Sequence, residues 1–304
     1  MHDMTDTLDR ALGFAIPERH ARGRIVRLGP TLDTILAAHA YPPAIEALLA
    51  EALTLCALMG STLKDGDAQL TMQTRSETGV VQLLVCDYRA GELRGYIQYD
   101  ADRLAEAPEQ PTLFALFGKG YLAITFDMAT TGERYQGIVP LDGETLAAAA
   151  QSYFVQSEQI PTLLRVGMAR RPDGSLVSGG LLLQHLPEGE EGRERLHTKL
   201  DHPEWEHVAA LGATMGVDEL ADPALPLETL VWRLFNEESE IRVLAGQELS
   251  RGCRCTPEHI LGVLAKFSVE DRQEMADDKG VIAVDCAFCA TTFPVNASDL
   301  APVR

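Results

Sequence analysis

Four of the six cysteines in this 304-residue chain fall in its last 52 positions, as a C-x-C, Cys253 and Cys255, and a C-x-x-C, Cys286 and Cys289. Two thiolates at i and i+2 of an extended chain face the same way, and two at i and i+3 of a tight turn converge. Together the pairs can complete a tetrahedral four-sulfur site. Zinc is the ion expected there, although four thiolates also suit an iron–sulfur cluster. A terminal segment of about 50 residues has little core of its own, and a structural zinc supplies roughly 10–16 kcal/mol of folding free energy. Three arrangements compete: a static disulfide pair, a permanent zinc knuckle, and a switch that exchanges one for the other.

Compartment helps to weigh them. The start, "MHDMTDTLDRALGFAIPERHARGR", has no basic stretch leading into an apolar one, and no run of about 18 uncharged apolar residues occurs. A soluble, cytoplasmic protein without a membrane partner is expected. A reducing cytosol disfavours static disulfides and favours metal or redox chemistry for clustered cysteines. A disulfide across one residue closes a tight ring and should be easily reduced again, which suits a reversible switch. Arg251 and Arg254 flank the C-x-C, where positive charge would favour thiolate over thiol. Lys plus Arg total 26 against 45 Asp plus Glu, a net charge of −19, so a nucleic-acid backbone would be repelled.

With 46% apolar residues the chain can bury a substantial core. Residues 42–64 set Ile45, Leu48, Leu49, Ala52, Leu55, Cys56 and Met59 at helical spacing, with Glu46 and Glu51 between them, which predicts an amphipathic helix. Seven β-rich stretches follow: "AQLTMQTR", "VVQLLVCDY", "ELRGYIQYD", "YLAITFDMA", "ERYQGIVPL", "TLLRVGMARR" and "SLVSGGLLLQHL". "RAGE", "TTGE" and "RPDGS" are turn signals between them, so the sheet should be antiparallel. A helix is expected over residues 143–157, ending before Pro161. Residues 1–187 therefore read as an α+β domain of antiparallel sheet packed with helices.

At "LPEGEEGRER" the composition changes. Residues 188–250 hold 15 acidic and 5 basic side chains. They still carry helix-like apolar clusters, "WEHVAALGATM" and "LETLVWRLFNEE", with Trp205 and Trp232 as expected anchors. This is a helical linker with enough apolar surface to dock and enough self-repulsion to be loosened. Residues 251–304 form the small four-cysteine domain.

With the cysteine pattern "CRC" to "CAFC" stand "GKGYLAIT" at 118–125, "GERYQG" at 132–137, "YFVQSEQIPT" at 153–162, "GGLLLQ" at 179–184 and "VWRLFNEE" at 231–238. In these stretches, spread in order over most of its length, the chain resembles the redox-regulated holdase chaperones called 33-kilodalton heat-shock proteins. The resemblance implies that Cys253, Cys255, Cys286 and Cys289 hold one zinc when reduced and that the protein is then inactive. It implies that oxidation forms two disulfides, Cys253–Cys255 and Cys286–Cys289, releases the metal, and unfolds the switch domain and linker. Cys286 and Cys289 would sense peroxide first, while the C-x-C pair would respond also to partial unfolding. The active form would bind unfolded client proteins without ATP and dimerise.

Two other classes of protein use clustered cysteines. A thiol-disulfide oxidoreductase would need a cysteine at a helix N-terminus in a thioredoxin-like βαβ pattern, which "VDCAFCATTF" and its surroundings lack. A constitutive zinc ribbon would bind its partner in the reduced, metal-loaded state. His259, four residues after Cys255, is a weak alternative ligand. Cys56 and Cys86 read as buried inert thiols. His197, His202 and His207 share no helical face and read as solvated. The glycines of "FGKGY" and "TTGERYQG" read as tight turns. No catalytic residues stand out.

Overall fold

The computed structural model describes residues 7–63, 66–186 and 202–300. Its first sheet begins with β1 (Arg10–Ile16) and β2 (Ala21–Leu28), which the sequence analysis did not assign. A helical turn, α1 (Pro30–Leu36), leads to the long α2 (Pro43–Gly60). Then come β3 (Gln69–Ser76), β4 (Val81–Arg89), β5 (Glu92–Tyr99), α3 (Ala101–Glu106), α4 (Leu113–Phe117), β6 (Gly120–Asp127) and β7 (Arg134–Pro140). After α5 (Leu146–Tyr153), whose last turn widens over Phe154–Glu158, β8 (Thr162–Arg170) and β9 (Leu176–His185) return to the first sheet. All seven β-rich stretches of the sequence are strands, and the turns between several of them use left-handed residues: Ala90 and Gly91, Gly132, and Gly174.

Helices α6 (Pro203–Ala213), α7 (Val217–Ala221) and α8 (Leu227–Phe235) precede three short strands: β10 (Arg242–Val243), β11 (Gln247–Glu248) and β12 (Ser250–Arg251). The chain ends with α9 (Pro257–Leu264), α10 (Val269–Met275) and the hairpin β13 (Val281–Asp285) and β14 (Thr292–Asn296).

Apart from the β13–β14 hairpin, the strands among the described residues form two six-stranded sheets. One has the order β10-β1-β2-β9-β8, with β11 also on β1, and the other β12-β5-β4-β3-β6-β7. Among the described residues every strand pairing is antiparallel except β12 on β5, which is parallel. The fold is thus α+β with antiparallel sheets.

Helix α2 lies between the sheets and packs on β2, β8 and β9 of one and on β3, β4 and β5 of the other. Its surroundings correct the amphipathic expectation. Residues outside the predicted apolar stripe, including Leu53, Thr54, Ala57 and Leu58, are buried as fully as those on it. A helix flanked by apolar sheet on both sides needs apolar residues all round. It is long and apolar enough to cross a membrane, yet 72% of it is buried within the molecule. Cys56 and Cys86 are fully buried in this layer, where loss of solvation pushes both thiols well above their ordinary pKa.

The outer face of the first sheet is also covered. Leu12, Phe14, Ile16, Ile25, Leu181 and Leu183 form one cluster with Trp205, Val208, Leu220, Leu230, Val231 and Phe235 of the linker helices. Strand β9 is therefore buried on both faces along its whole length. Trp205 is the anchor expected, but Trp232 is not: it is 62% exposed, on the outer side of α8, while Leu230, Val231 and Phe235 face the sheet. His197 and the acidic residues 188–201 lie outside the described residues.

Two features fasten the linker to the sheet. Arg27 on β2 is fully buried and donates to the backbone oxygens of Glu219, Leu220 and Leu225. Burial lowers its pKa to about 10, so it stays charged at neutral pH. Gly167 and Gly179 leave room for the α7 backbone; a methyl group at either would overlap a carbonyl, that of Val217 or of Leu220.

Candidate metal centre

Strand β12 carries the chain along the edge of β5, with Ser250 N–H on Gly91 O and Gly252 N–H on Leu93 O. Cys253 follows at once, so the second sheet itself positions the C-x-C. Helix α9 starts after Cys255 because Thr256 is a good N-cap, accepting from His259 N–H, and Pro257 suits the first turn. A Ser268–Asp271 capping box starts α10. Among the described residues, Ile260, Leu264, Ile282, Val295 and Leu300 form the buried apolar cluster of this module.

The C-x-x-C occupies the turn of the β13–β14 hairpin. Cys286 N–H donates to Thr291 O, and the N–H groups of Cys289 and Ala290 return to Cys286 O, with Ala290 left-handed at φ +53°. That turn folds Cys286 and Cys289 toward the C-x-C. All four sulfur atoms lie within 4.8 Å of one another, with Cys253 Sγ 3.0 Å from Cys255 Sγ and 3.6 Å from Cys286 Sγ, and Cys255 Sγ 3.3 Å from Cys289 Sγ. Each cysteine is half-buried. The set is all sulfur, closed and compact, and fits a tetrahedral ion bound by thiolates.

As thiols Cys255, Cys286 and Cys289 are unequal. Burial, reinforced by hydrogen bonds with Cys253 and Cys289, pushes Cys255 well up. Burial raises Cys286 as well. At Cys289 burial acts upward too, but hydrogen bonds with Thr291 and the neighbouring thiols outweigh it and hold the group at about 6.

All four predicted ligand residues are thus brought together. His259 is exposed on α9, and the cluster among the described residues contains cysteine alone. The Arg254 guanidinium hydrogen-bonds to Gln69 Oε1 on β3, while Arg251 is exposed. Phe288, inside the C-x-x-C, is a contact residue that the cysteine spacing does not signal. Its ring meets Tyr96 edge-on, with centroids 5.0 Å apart, and the Arg94 guanidinium lies 4.0 Å above it. His202 is not simply solvated: its Nδ1 caps α6 and its ring lies 4.9 Å from that of buried His185. His207 is exposed and pairs with Glu238 at 2.7 Å.

Fold and site together define a two-sheet α+β protein with a C-terminal four-thiol module whose C-x-x-C sits in a hairpin turn rather than at a helix N-terminus. A family model described as Hsp33 protein matches residues 9–296. A 33 kDa chaperonin of Caulobacter vibrioides (strain NA1000 / CB15N) is 38% identical over 300 residues, covering 96% of each chain. One of Yersinia pestis (strain Pestoides F) is 35% identical over 298 residues, covering 97% of this chain and 95% of its own. The crystal structure of a 33 kDa chaperonin, a heat shock protein 33 homologue from Thermotoga maritima, superposes with a TM-score of 0.75 over 96% of both chains at 20% identity, a likeness of fold. The chain belongs to the Hsp33 family.

Proposed function

We propose that this protein is a redox-regulated, ATP-independent holdase of the cytosol, not an enzyme, whose four-cysteine module holds a cover over an apolar surface. The observation that carries this reading is the division of the second apolar cluster: half belongs to β1, β2 and β9, and half to α6, α7 and α8. Separating them exposes two matching apolar faces, either of which can take up unfolded chains.

Residues 1–187 act as the chaperone core, 188–250 as a metastable cover, and 251–304 as the switch. Cys253, Cys255, Cys286 and Cys289 hold one Zn2+ when reduced, and the ion supplies folding free energy that the five-residue core of the module cannot. Oxidation to Cys253–Cys255 and Cys286–Cys289 disulfides removes four thiolate ligands, and a two-electron oxidant such as peroxide is reduced at each pair. The close approach of Cys253 and Cys255, and the low pKa of Cys289, support this chemistry. With the metal gone the module unfolds and the linker loosens. The partners are unfolded proteins, with neither nucleic acid nor membrane, and the activated form is a homodimer.

The test combines zinc content, thiol titration and suppression of aggregation of a heat-unfolded client, before and after mild peroxide at elevated temperature. About one zinc per chain should leave as holdase activity appears. Zinc that stays bound, or leaves without any gain in client binding, would make the module a constitutive zinc ribbon instead.

A further inference from the structure

The switch module meets the core away from its cysteines as well. Alternation along β5 turns Leu93, Gly95 and Ile97 toward α2 and leaves Arg94 and Tyr96 on the outer face of the sheet. There Phe288 lies between the Arg94 guanidinium and the edge-on Tyr96 ring. Its backbone oxygen is 3.3 Å from His39 Nε2, and the His39 ring is stacked on Tyr41 at 4.9 Å. Tyr41 is fixed in turn, donating to Ile97 O and accepting from Ile97 N–H.

The receiving surface is held rigidly. Arg94 Nε and Nη2 both donate to Asp87 Oδ2, at 2.7 and 2.5 Å. Asp87 is buried and also accepts from Thr71 on the next strand. The Arg94–Asp87 pair thus fixes the guanidinium plane before any ring arrives, and an aromatic side chain is what a fixed guanidinium beside a tyrosine edge accepts. Among the described residues, the segment seated there is the turn that carries Cys286 and Cys289.

We infer that Arg94 and Tyr96 form an aromatic socket through which the core senses whether the C-x-x-C turn is intact, with Phe288 as the inserted group. The turn that places Phe288 is closed by Cys286 O, the backbone carbonyl of a residue whose own sulfur belongs to the cluster. When the four-sulfur cluster comes apart, the turn opens and Phe288 leaves. Coupling between equilibria is reciprocal. If the intact cluster favours docking, docking must favour metal retention by the same factor. This rests on the reading that the four cysteines hold a metal, and it assigns residues outside that cluster to its control.

The test is a double-mutant cycle on the full-length, zinc-loaded, reduced protein, reading zinc affinity by competition with a chromogenic chelator. Phe288→Ala and Tyr96→Ala should each weaken zinc retention roughly three- to tenfold, the range of one aromatic contact with a cation above it. The double variant should be no weaker than the worse single one. Phe288→Leu keeps apolar volume and should retain the defect. Thermal unfolding of the core followed through β3–β7 should not move with Phe288→Ala. Multiplying effects in the double variant, or unchanged zinc retention in Tyr96→Ala, would overturn the socket. A wild-type protein that holds no zinc would overturn the reading of the cysteine cluster itself, before the cycle is measured.

Discussion

At single residues the fold depends on shape and on donor geometry more than on residue class. Gly179 has an ordinary extended backbone, yet only hydrogen fits between β9 and the Leu220 carbonyl. Gly179→Ala should therefore displace α7 while the two sheets remain, seen as faster proteolysis within 203–235 at an unchanged far-ultraviolet strand signal. Arg27 satisfies three linker carbonyls at once. Arg27→Ala should destabilise linker docking by about 2–4 kcal/mol, because buried acceptors lose their donors. Phe235, fully buried beside Phe14 at 5.8 Å, should cost about 3–5 kcal/mol on truncation to Ala in a denaturant titration. Trp232→Ala, by contrast, should fall within about 0.5 kcal/mol of wild type, since the side chain is mostly exposed.

Among the elements, the linker helices carry the most chemistry that can change with conditions. His185 at the end of β9 is buried, and its Nδ1 has no hydrogen-bond partner among the described residues. Burial, then the nearby rings of His202 at the α6 N-cap and His20 before β2, lower its pKa. The folded form therefore resists protonation that the released form accepts from about pH 6.5. Docking should be at full strength above that pH and weaken as the pH falls below it toward the folded pKa. Arg19, bridging Glu204 and Glu238, stays charged throughout. Linker proteolysis measured from pH 7.5 to 5.5 should rise.

These same elements mark where the sequence was readable. Period-two alternation and turn residues located β3 to β9 because each strand has one polar face or a glycine turn beside it. The strands β1 and β2 were missed because "RALGFAI" and "ARGRIVRL" surround a Pro-Glu-Arg turn and β1 is buried nearly throughout, which blurs alternation. The cysteine cluster was legible from spacing alone, since thiolate convergence is a local property of each pair. The Phe288 socket was not, because its two halves, Tyr96 and Phe288, are 192 positions apart in sequence and are brought together on the side of the second sheet where β12 pairs with β5. Trp232 misled for a related reason: aromatic bulk does not say which side of a helix faces the sheet.

Over the whole molecule, a weakly cored terminal module is joined to a well-packed two-sheet body through a cover that shares its apolar cluster with that body. Stability is distributed unequally, and the least self-sufficient part holds the groups that oxidation changes. Removing metal by chelation under reducing conditions should unfold the module without touching α2 or the second sheet, giving partial loss of helical signal and no loss of the main thermal transition.

Hydrogen exchange over the full chain, comparing the reduced, zinc-loaded protein with its peroxide-treated form, tests the central claim most directly. The account predicts that amides in 203–235 and 253–296 lose protection together on oxidation while those of α2 and β3–β6 keep theirs. Protection that persists in 203–235 after the zinc has gone would contradict it, because the cover would then be independent of the switch.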